Sequence, residues 1–407
     1  MWKKIKSVIM NCFTVYCREF KLIIHDGGLI LFFTFLPLAY PVIYSLIYNP
    51  ELVKDVPVVV VDHDRTKLSR ELTRRIDACD EALVAGYAND LNEARHAVNS
   101  HAAFGILEIP EGLERKVGRG EQVAAVMYCE MSLLLRYRGL LVATTEVMQD
   151  MGAELMTEKI NGIAPLAETV ATGDLLPINN VSMGNIRNGF DSFIMPGVIV
   201  LILHQCIILL VGMAGGAKRE NPFLIGYDPY NEAPSTIGTM ISQMLCYLTI
   251  MILPIIFMIH YVPMIFRFPM AGDLLQELAF FLPMVIGCFG IGFVFQAFVT
   301  EREEVFVLWV ATSLVFLLIS GLIWPLPDMV EPWRALAYIC PSTWGVEGFI
   351  KMNTNGASLS QVSPEYINLW ILAVIWWGLG WLSQKFVMRP AIARRMHNYT
   401  IRELEDI

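Results

Sequence analysis

The chain has 407 residues, of which 55% are hydrophobic and 17% charged, with a formal net charge of -9 and a mean hydropathy of +0.51. Soluble globular chains carry roughly 25% charged residues, so an ordinary soluble protein, a disordered chain and a coiled coil are excluded. Eight Cys over this length are too dilute for a disulfide scaffold, and an acidic balance gives no reason to expect nucleic acid as a partner.

Residues 1–26 read as an amphipathic helix at the membrane surface. Trp2, Ile5, Ile9, Cys12, Tyr16, Phe20 and Ile23 recur at spacings of three and four, and Lys3, Lys4, Ser7, Asn11, Arg18 and Lys21 lie mostly off that stripe. The first apolar run, 29–48, is long enough to span a bilayer and defines a first span over 27–48. Residues 49–191 are polar and read as an α/β domain. Pro57-Val58-Val59-Val60-Val61 predicts a buried strand, and Leu68, Leu72 and Ile76 share one helix face. Strands are predicted over 82–87, 103–109 and 123–128. A helix opens with the capping pattern Asp90-Leu91-Asn92-Glu93, a short one opens at Pro110, and a long one covers 132–160. Asp62-His63-Asp64 has metal-ligand residue types, but no further ligand set is near it. A strand end followed by a helix cap accounts for it better, and no metal is expected. Cys79 and Cys129 could pair in an oxidising compartment; spacing leaves this open.

Residues 192–387 contain five further apolar runs, at 192–213, 237–260, 278–299, 305–324 and 367–386, and 388–407 form a tail. Pro37, Pro41, Pro196, Pro254 and Pro283 fall inside runs, where neighbouring helices can satisfy the freed carbonyls. The expected fold class is an α-helical membrane protein with six transmembrane helices and an α/β extracytoplasmic domain between the first two. Thirteen Lys and Arg, among them Lys218, Arg219, Arg302 and Lys385, flank one side of the spans. Only Arg267, Arg334 and Lys351 lie in the short loops of the other side, so both termini are expected in the cytoplasm.

The chain carries no G-x-x-x-x-G-K-[ST] phosphate loop and no H-E-x-x-H, G-x-S-x-G or C-x-x-C motif. Gly212-Met213-Ala214-Gly215-Gly216 ends a span and is too weak a pattern for phosphate binding. The spans hold no Asp or Glu, and their interiors offer only His204, Gln205, Gln243 and Gln296. These four are candidates for a substrate path, and an interhelical hydrogen bond is the preferred alternative for each. Without intramembrane acids to couple an ion gradient, energy for transport is expected from a partner. A membrane-anchored binding or scaffold protein, using the α/β domain to recruit an extracytoplasmic partner, is the competing reading.

The chain resembles the permease subunit of ABC-2 type exporters over nearly its whole length. Val58-Val59-Val60-Val61-Asp62-His63-Asp64, Leu68-Ser69-Arg70-Glu71-Leu72, Glu93-Ala94-Arg95 and the run from Ala103 to Gly112 are similar to that family's extracytoplasmic insert. Ser320-Gly321-Leu322-Ile323-Trp324-Pro325, Pro327 and Pro341-Ser342-Thr343-Trp344 resemble its re-entrant hairpin, here near 325–350. The resemblance implies a transport subunit that is not itself an enzyme, with ATP and Mg bound by separate cytosolic ABC ATPase subunits. It also implies a second permease, identical or related, and in some members a periplasmic adaptor. The bilayer implied is the bacterial inner membrane, and the cargo would be amphipathic or lipophilic. Coupling would fall to Lys218, Arg219 and Glu220 with residues 221–235, although Pro222, Pro229 and Pro234 depart from the family pattern there, or to Glu301 and Arg302 in the second cytosolic turn.

Overall fold

The computed structural model describes residues 2–48, 53–132, 134–163, 189–220 and 235–405, without the side chains of 2–8, 156–163 and 398–405. The chain divides into two compact units, one formed by Met1–Asn49 with Ser182–Ile407 and the other by Pro50–Val181. The first unit opens with α1 (Trp2–His25). Among its described side chains Val15, Arg18, Glu19, Leu22 and Ile23 are buried, while Ile9, Met10, Phe13, Phe20 and Ile24 are exposed. The side of the helix that packs against the bundle therefore includes two charged residues, Arg18 and Glu19, while Ile9 and Phe20 of the apolar stripe face away and Ile23 faces in. Asp26 ends α1 and caps the next helix, accepting from the Gly28 and Leu29 amides at 3.0 and 3.2 Å. Helices α2 (Gly27–Ile30) and α3 (Leu36–Tyr48), joined by a π turn at Leu31–Phe35, form one apolar stretch.

The second unit is built on four strands, β1 (Val56–Asp62), β2 (Ala82–Tyr87), β3 (Gly105–Ile109) and β4 (Val126–Cys129), in the order β2-β1-β3-β4. β1 runs parallel to β2 and β3, and β4 pairs antiparallel with β3. The connections are α4 (Lys67–Asp77), α5 (Leu91–Asn99) and α6 (Leu113–Arg119), and α7 (Leu134–Ile163) follows β4. Val56, Val58 and Val60 pack into one core with Leu72, Ile76 and Leu140, and Val59 and Val61 into another with Ala94. Helices on both faces bury β1 from both sides, which is why its centre, Val58–Val61, is a continuous β-branched run instead of an alternating one. Gly105 lies under α7: an added Cβ would come within 2.7 Å of Leu140 Cδ1.

The Asp62-His63-Asp64 motif is a loop clasp. Asp62 accepts from the Asp64 and Arg65 amides and from Ser69 Oγ. Asp64 accepts from Thr66 Oγ1 at 2.6 Å and from the Gly112 and Glu114 amides at 2.7 and 3.0 Å. The cap of α4 is Thr66, so Asp64 caps α6, a helix 50 positions away in sequence. Burial raises the Asp64 carboxyl, and these donors together outweigh it and leave the group below its ordinary value. Cys79 and Cys129 are both free thiols.

The first unit continues with α8 (Phe190–Glu220), α9 (Thr236–Ile256) and α10 (Val262–Phe266), the last two joined by a π turn at Phe257–Tyr261. Then come α11 (Leu274–Phe295), α12 (Glu304–Ile319), α13 (Glu331–Ile339), α14 (Pro341–Asn355) and α15 (Ser363–Ser383). A π turn at Gln384–Met388 leads into α16 (Arg389–Glu405). Among the described residues five stretches are long and apolar enough to cross a membrane: Gly27–Tyr48, Phe190–Glu220, Thr236–Phe266, Leu274–Phe295 and Ser363–His397. The expected span over 305–324 is shorter. Its helix ends at Ile319 after 16 residues, about 24 Å at 1.5 Å per residue against a hydrocarbon core of about 30 Å. Gly321, at φ +83°, turns the chain there.

α8 is the central helix, buried almost continuously from Met195 to Lys218. α11 lies along it in parallel, since Gly292 meets Val211 and Gly215 meets Gln296. α14 runs antiparallel to α11, because Gly348, Gly345 and Gly287 meet Phe280, Met284 and Pro341 respectively. α15 is tied to α11 by Trp377 Nε1 donating to Ile286 O at 2.8 Å and Ser383 Oγ to Phe293 O at 3.0 Å.

Candidate functional site

The last turn of α8, α1, α9 and the turn before α12 bring their polar groups together at one end of the bundle. Lys218 Nζ lies 2.7 Å from Glu19 Oε1, with the two side chains 6% and 1% exposed. Glu19 also accepts from Gln243 Nε2 and Tyr247 OH, each at 2.9 Å, and Lys218 donates to Tyr247 OH at 3.2 Å. Two desolvated charges are tolerated because each is paired and further hydrogen-bonded. Sequence periodicity did not single out Glu19. The available signal was that it is the one acidic residue in α1, set between Val15 and Leu22.

A second ion group lies beside it. Arg302 donates to Glu220 Oε2 at 2.7 Å through Nε and to Asp26 Oδ2 at 2.7 Å through its terminal nitrogen, and its amide reaches Glu220 Oε1 at 2.7 Å. Arg219 donates to the carbonyls of Ala297 and Val299. One guanidinium thus joins the α1–α2 corner, the end of α8 and the turn into α12. The glycine-rich end of α8 serves this packing. An added Cβ at Gly212 would lie 2.3 Å from Val305 Cγ2, and one at Gly216 would lie 2.6 Å from the Arg302 Cα. Glu301 is exposed on the same turn. Lys218 and Arg219 are the closing residues of a helix, with Lys218 facing inward, and not members of a loop. Residues 221–234, expected to hold the coupling segment, lie outside the described residues.

The four polar span residues divide into two pairs. Gln243 is bound to Glu19, and Gln296 donates to Val211 O and accepts from Gln384 Nε2 at 2.7 Å. These two make interhelical hydrogen bonds. His204 and Gln205 are buried in the middle of α8, and among the described residues neither has a hydrogen-bond partner. The His204 ring stacks on Phe316 of α12 at 4.9 Å between centroids.

The proline-rich segment forms a broken pair of helices. Pro325 ends the extended link, Pro327 sits in a 3₁₀ turn at Leu326–Asp328, and Pro341 is the first residue of α14. Trp344 bridges the break between α13 and α14: its Nε1 donates to Tyr338 O at 3.0 Å and its ring stacks on Tyr338 at 5.0 Å. In the α/β unit, a cavity of about 600 Å³ opens between β4 and α7. It is lined by Met127, Cys129, Met131, Tyr137 and Met148 among others.

Among curated proteins, no relative matches the chain. The family described as ABC-2 family transporter protein matches residues 28–382, which reaches into both units and into each of the five long apolar helices among the described residues. The chain is therefore a member of the ABC-2 transporter family: a multi-pass membrane protein and a membrane transport component, of a family that associates with ABC ATPase subunits.

Proposed function

We propose that the chain is the permease subunit of an ATP-driven exporter, forming the substrate pathway while separate cytosolic subunits bind and hydrolyse ATP with Mg. The observation that carries this is the ion cluster joining α1, the end of α8 and the turn into α12 through Glu19, Lys218, Asp26, Glu220 and Arg302. A push on any of these elements is passed to the others as a unit, since packed and ion-paired elements move together. The excess of Lys and Arg on this side supports a cytoplasmic location for both termini and an inner-membrane protein with an extracytoplasmic α/β domain. On this reading α12 is a sixth span completed by the turn after Ile319, and two permeases, identical or related, form the complex, with a periplasmic adaptor as an optional partner. The cargo is amphipathic or lipophilic.

Closure of the partner ATPases around ATP would drive the linked elements, and the bundle would alternate between inward- and outward-open arrangements. Because Lys218 is an internal clamp, the exposed Glu301 is the better candidate for touching the partner. The test is purification from native membranes followed by nucleotide hydrolysis. An ATPase with a P-loop should co-purify, its activity should respond to cargo, and Glu301→Arg should weaken that response without lowering the permease's thermal midpoint. Absence of any ATPase, or full activity in the variant, would count against the assignment at that step. The competing reading, in which the α/β unit is a recognition module, draws support from the 600 Å³ cavity beside β4; a purified chain that carries an extracytoplasmic protein and no ATPase would favour it.

A further inference from the structure

Four of the buried polar residues left unused by the ion cluster, His204, Gln205, Ser342 and Thr343, lie together at one depth. Val200 of α8 meets Gly345 of α14, whose added Cβ would be 3.0 Å from Val200 Cγ1. His204 is one helical turn beyond Val200 on the same face, and Ser342 is one turn before Gly345 on its own. Since α14 is antiparallel to α11 and α11 parallel to α8, both steps run toward the same level. Pro341 against Gly287 marks that level, near the middle of α11. There α14 begins, with Cys340 as its cap and no side-chain cap hydrogen bond. Ser342 Oγ, Thr343 Oγ1, both ring nitrogens of His204 and both amide atoms of Gln205 are buried without hydrogen-bond partners among the described residues.

Buried polar groups in proteins are almost always satisfied, so a group of unsatisfied ones at a single level calls for an explanation. We propose that the start of α14, together with His204 and Gln205 of α8, is a binding site inside the bundle for the anionic, hydrogen-bond-accepting head of an amphipathic molecule. The charge sign follows from the surroundings. The N-terminal end of a helix carries the equivalent of about half a positive charge and presents free amide donors. Ser342, Thr343 and Gln205 add donors, and the His204 ring adds at least one more. On α8, α11 and α12 no Asp or Glu lies within a turn of this level, and Glu347 of α14, one turn after Thr343, is already paired with Lys351 at 2.9 Å, so a cation would find no free counter-charge. Apolar side chains around it, including Phe316 and Met284, suit the tail of an amphiphile. The seam is closed in this structure, and loading requires α14 to part from α8. The inference rests on the permease reading for its purpose, but binding at the site does not require a partner ATPase.

The test uses the full-length chain purified in dodecyl maltoside, probed with dodecyl phosphate, inorganic phosphate and dodecyltrimethylammonium. Binding is read by Trp fluorescence and by the thermal midpoint. Dodecyl phosphate should bind saturably and raise the midpoint. Ser342→Ala, Thr343→Val and His204→Phe should each weaken it about tenfold or more, the loss of one hydrogen bond to a charged group. Without ligand, Ser342→Ala and Thr343→Val should melt no lower than the parent, because the deleted hydroxyls have no partner to lose; this separates loss of the site from misfolding. Displacement of dodecyl phosphate by inorganic phosphate would assign the site to a free anion, and failure of displacement would assign it to an amphiphile; both support the anionic-head chemistry. Equal dodecyl phosphate binding by parent and variants, or equally strong dodecyltrimethylammonium binding with the same sensitivity to the variants, would overturn it and leave the polar groups to water. Failure to recover an ATPase with the chain would count against the exporter and leave this result standing.

Discussion

Replacing Lys218 by Met removes the cation from a carboxylate that is 1% exposed. At 2.7 Å the pair's attraction is about 6 kcal/mol for an effective dielectric constant of about 20. Desolvation of both charges offsets much of that, so the pair as a whole adds little. Taking away one partner is different, because Glu19 then keeps a buried charge without its ion-paired lysine, held by the neutral donors Gln243 and Tyr247. Such single deletions cost about 3–5 kcal/mol, and at about 2–4 °C per kcal/mol for units of this size the thermal midpoint should fall by at least about 6 °C. Glu19→Gln should fall comparably. The double variant Glu19→Gln/Lys218→Met, neutral at both positions, should recover at least about 2 kcal/mol relative to the sum of the singles. The assay is thermal unfolding of the full-length chain in detergent, with stimulation of the partner ATPase as the second readout. If the singles and the double add to within about 0.5 kcal/mol, the two side chains do not act as a pair and the clamp on α1 does not exist.

The remaining predictions concern packing and acid response. Gly216→Ala places a Cβ 2.6 Å from the Arg302 Cα, a backbone atom that cannot rotate aside; it should cost about 1–3 kcal/mol, and Gly290→Ala, 2.7 Å from the Trp376 carbonyl carbon, should cost a similar amount. Thermal midpoints unchanged from the parent would show that these helices are not in such close contact. Trp344→Phe keeps the ring against Tyr338 and removes the bond to its carbonyl, so a loss of about 0.5–1.5 kcal/mol is expected; a loss like that of Trp344→Ala would mean that the bond is not the main link. In the α/β unit, hydrogen bonds from Arg74 and then Arg75 hold the Glu71 carboxyl down from 4.5 to about 2. A depressed folded-state value stabilises above the unfolded one, so this contribution is present above pH 4.5 and is lost as pH falls toward 2. Hydrogen exchange in α4 should rise over that window, and Glu71→Gln should flatten the rise; an identical acid limb in the variant would remove Glu71 from the account.

Local pattern determined a good deal about this protein. Apolar runs of about 20 residues located the five long membrane helices, because the bilayer sets the length and the absence of charge. The Val58–Val61 run after Pro57 and the helices around it announced a strand buried on both faces, because a strand buried on both sides cannot alternate. The resemblance to the family's re-entrant hairpin, carried in part by Pro341 and Trp344, drew attention to this segment before any contact was known. Tertiary structure decided which polar groups meet. Glu19 and Lys218 are about 200 positions apart, and no periodicity within α1 or α8 could pair them. Asp64 looked like the cap of the helix that follows it and instead caps α6. Gln243 and Gln296 were indistinguishable in sequence from His204 and Gln205, yet the first two find partners and the last two do not. The physical reason is the same in each case. Burial and hydrophobic period are properties of neighbouring residues along the chain, whereas a hydrogen bond or an ion pair is satisfied only by whatever another helix delivers to within about 3 Å.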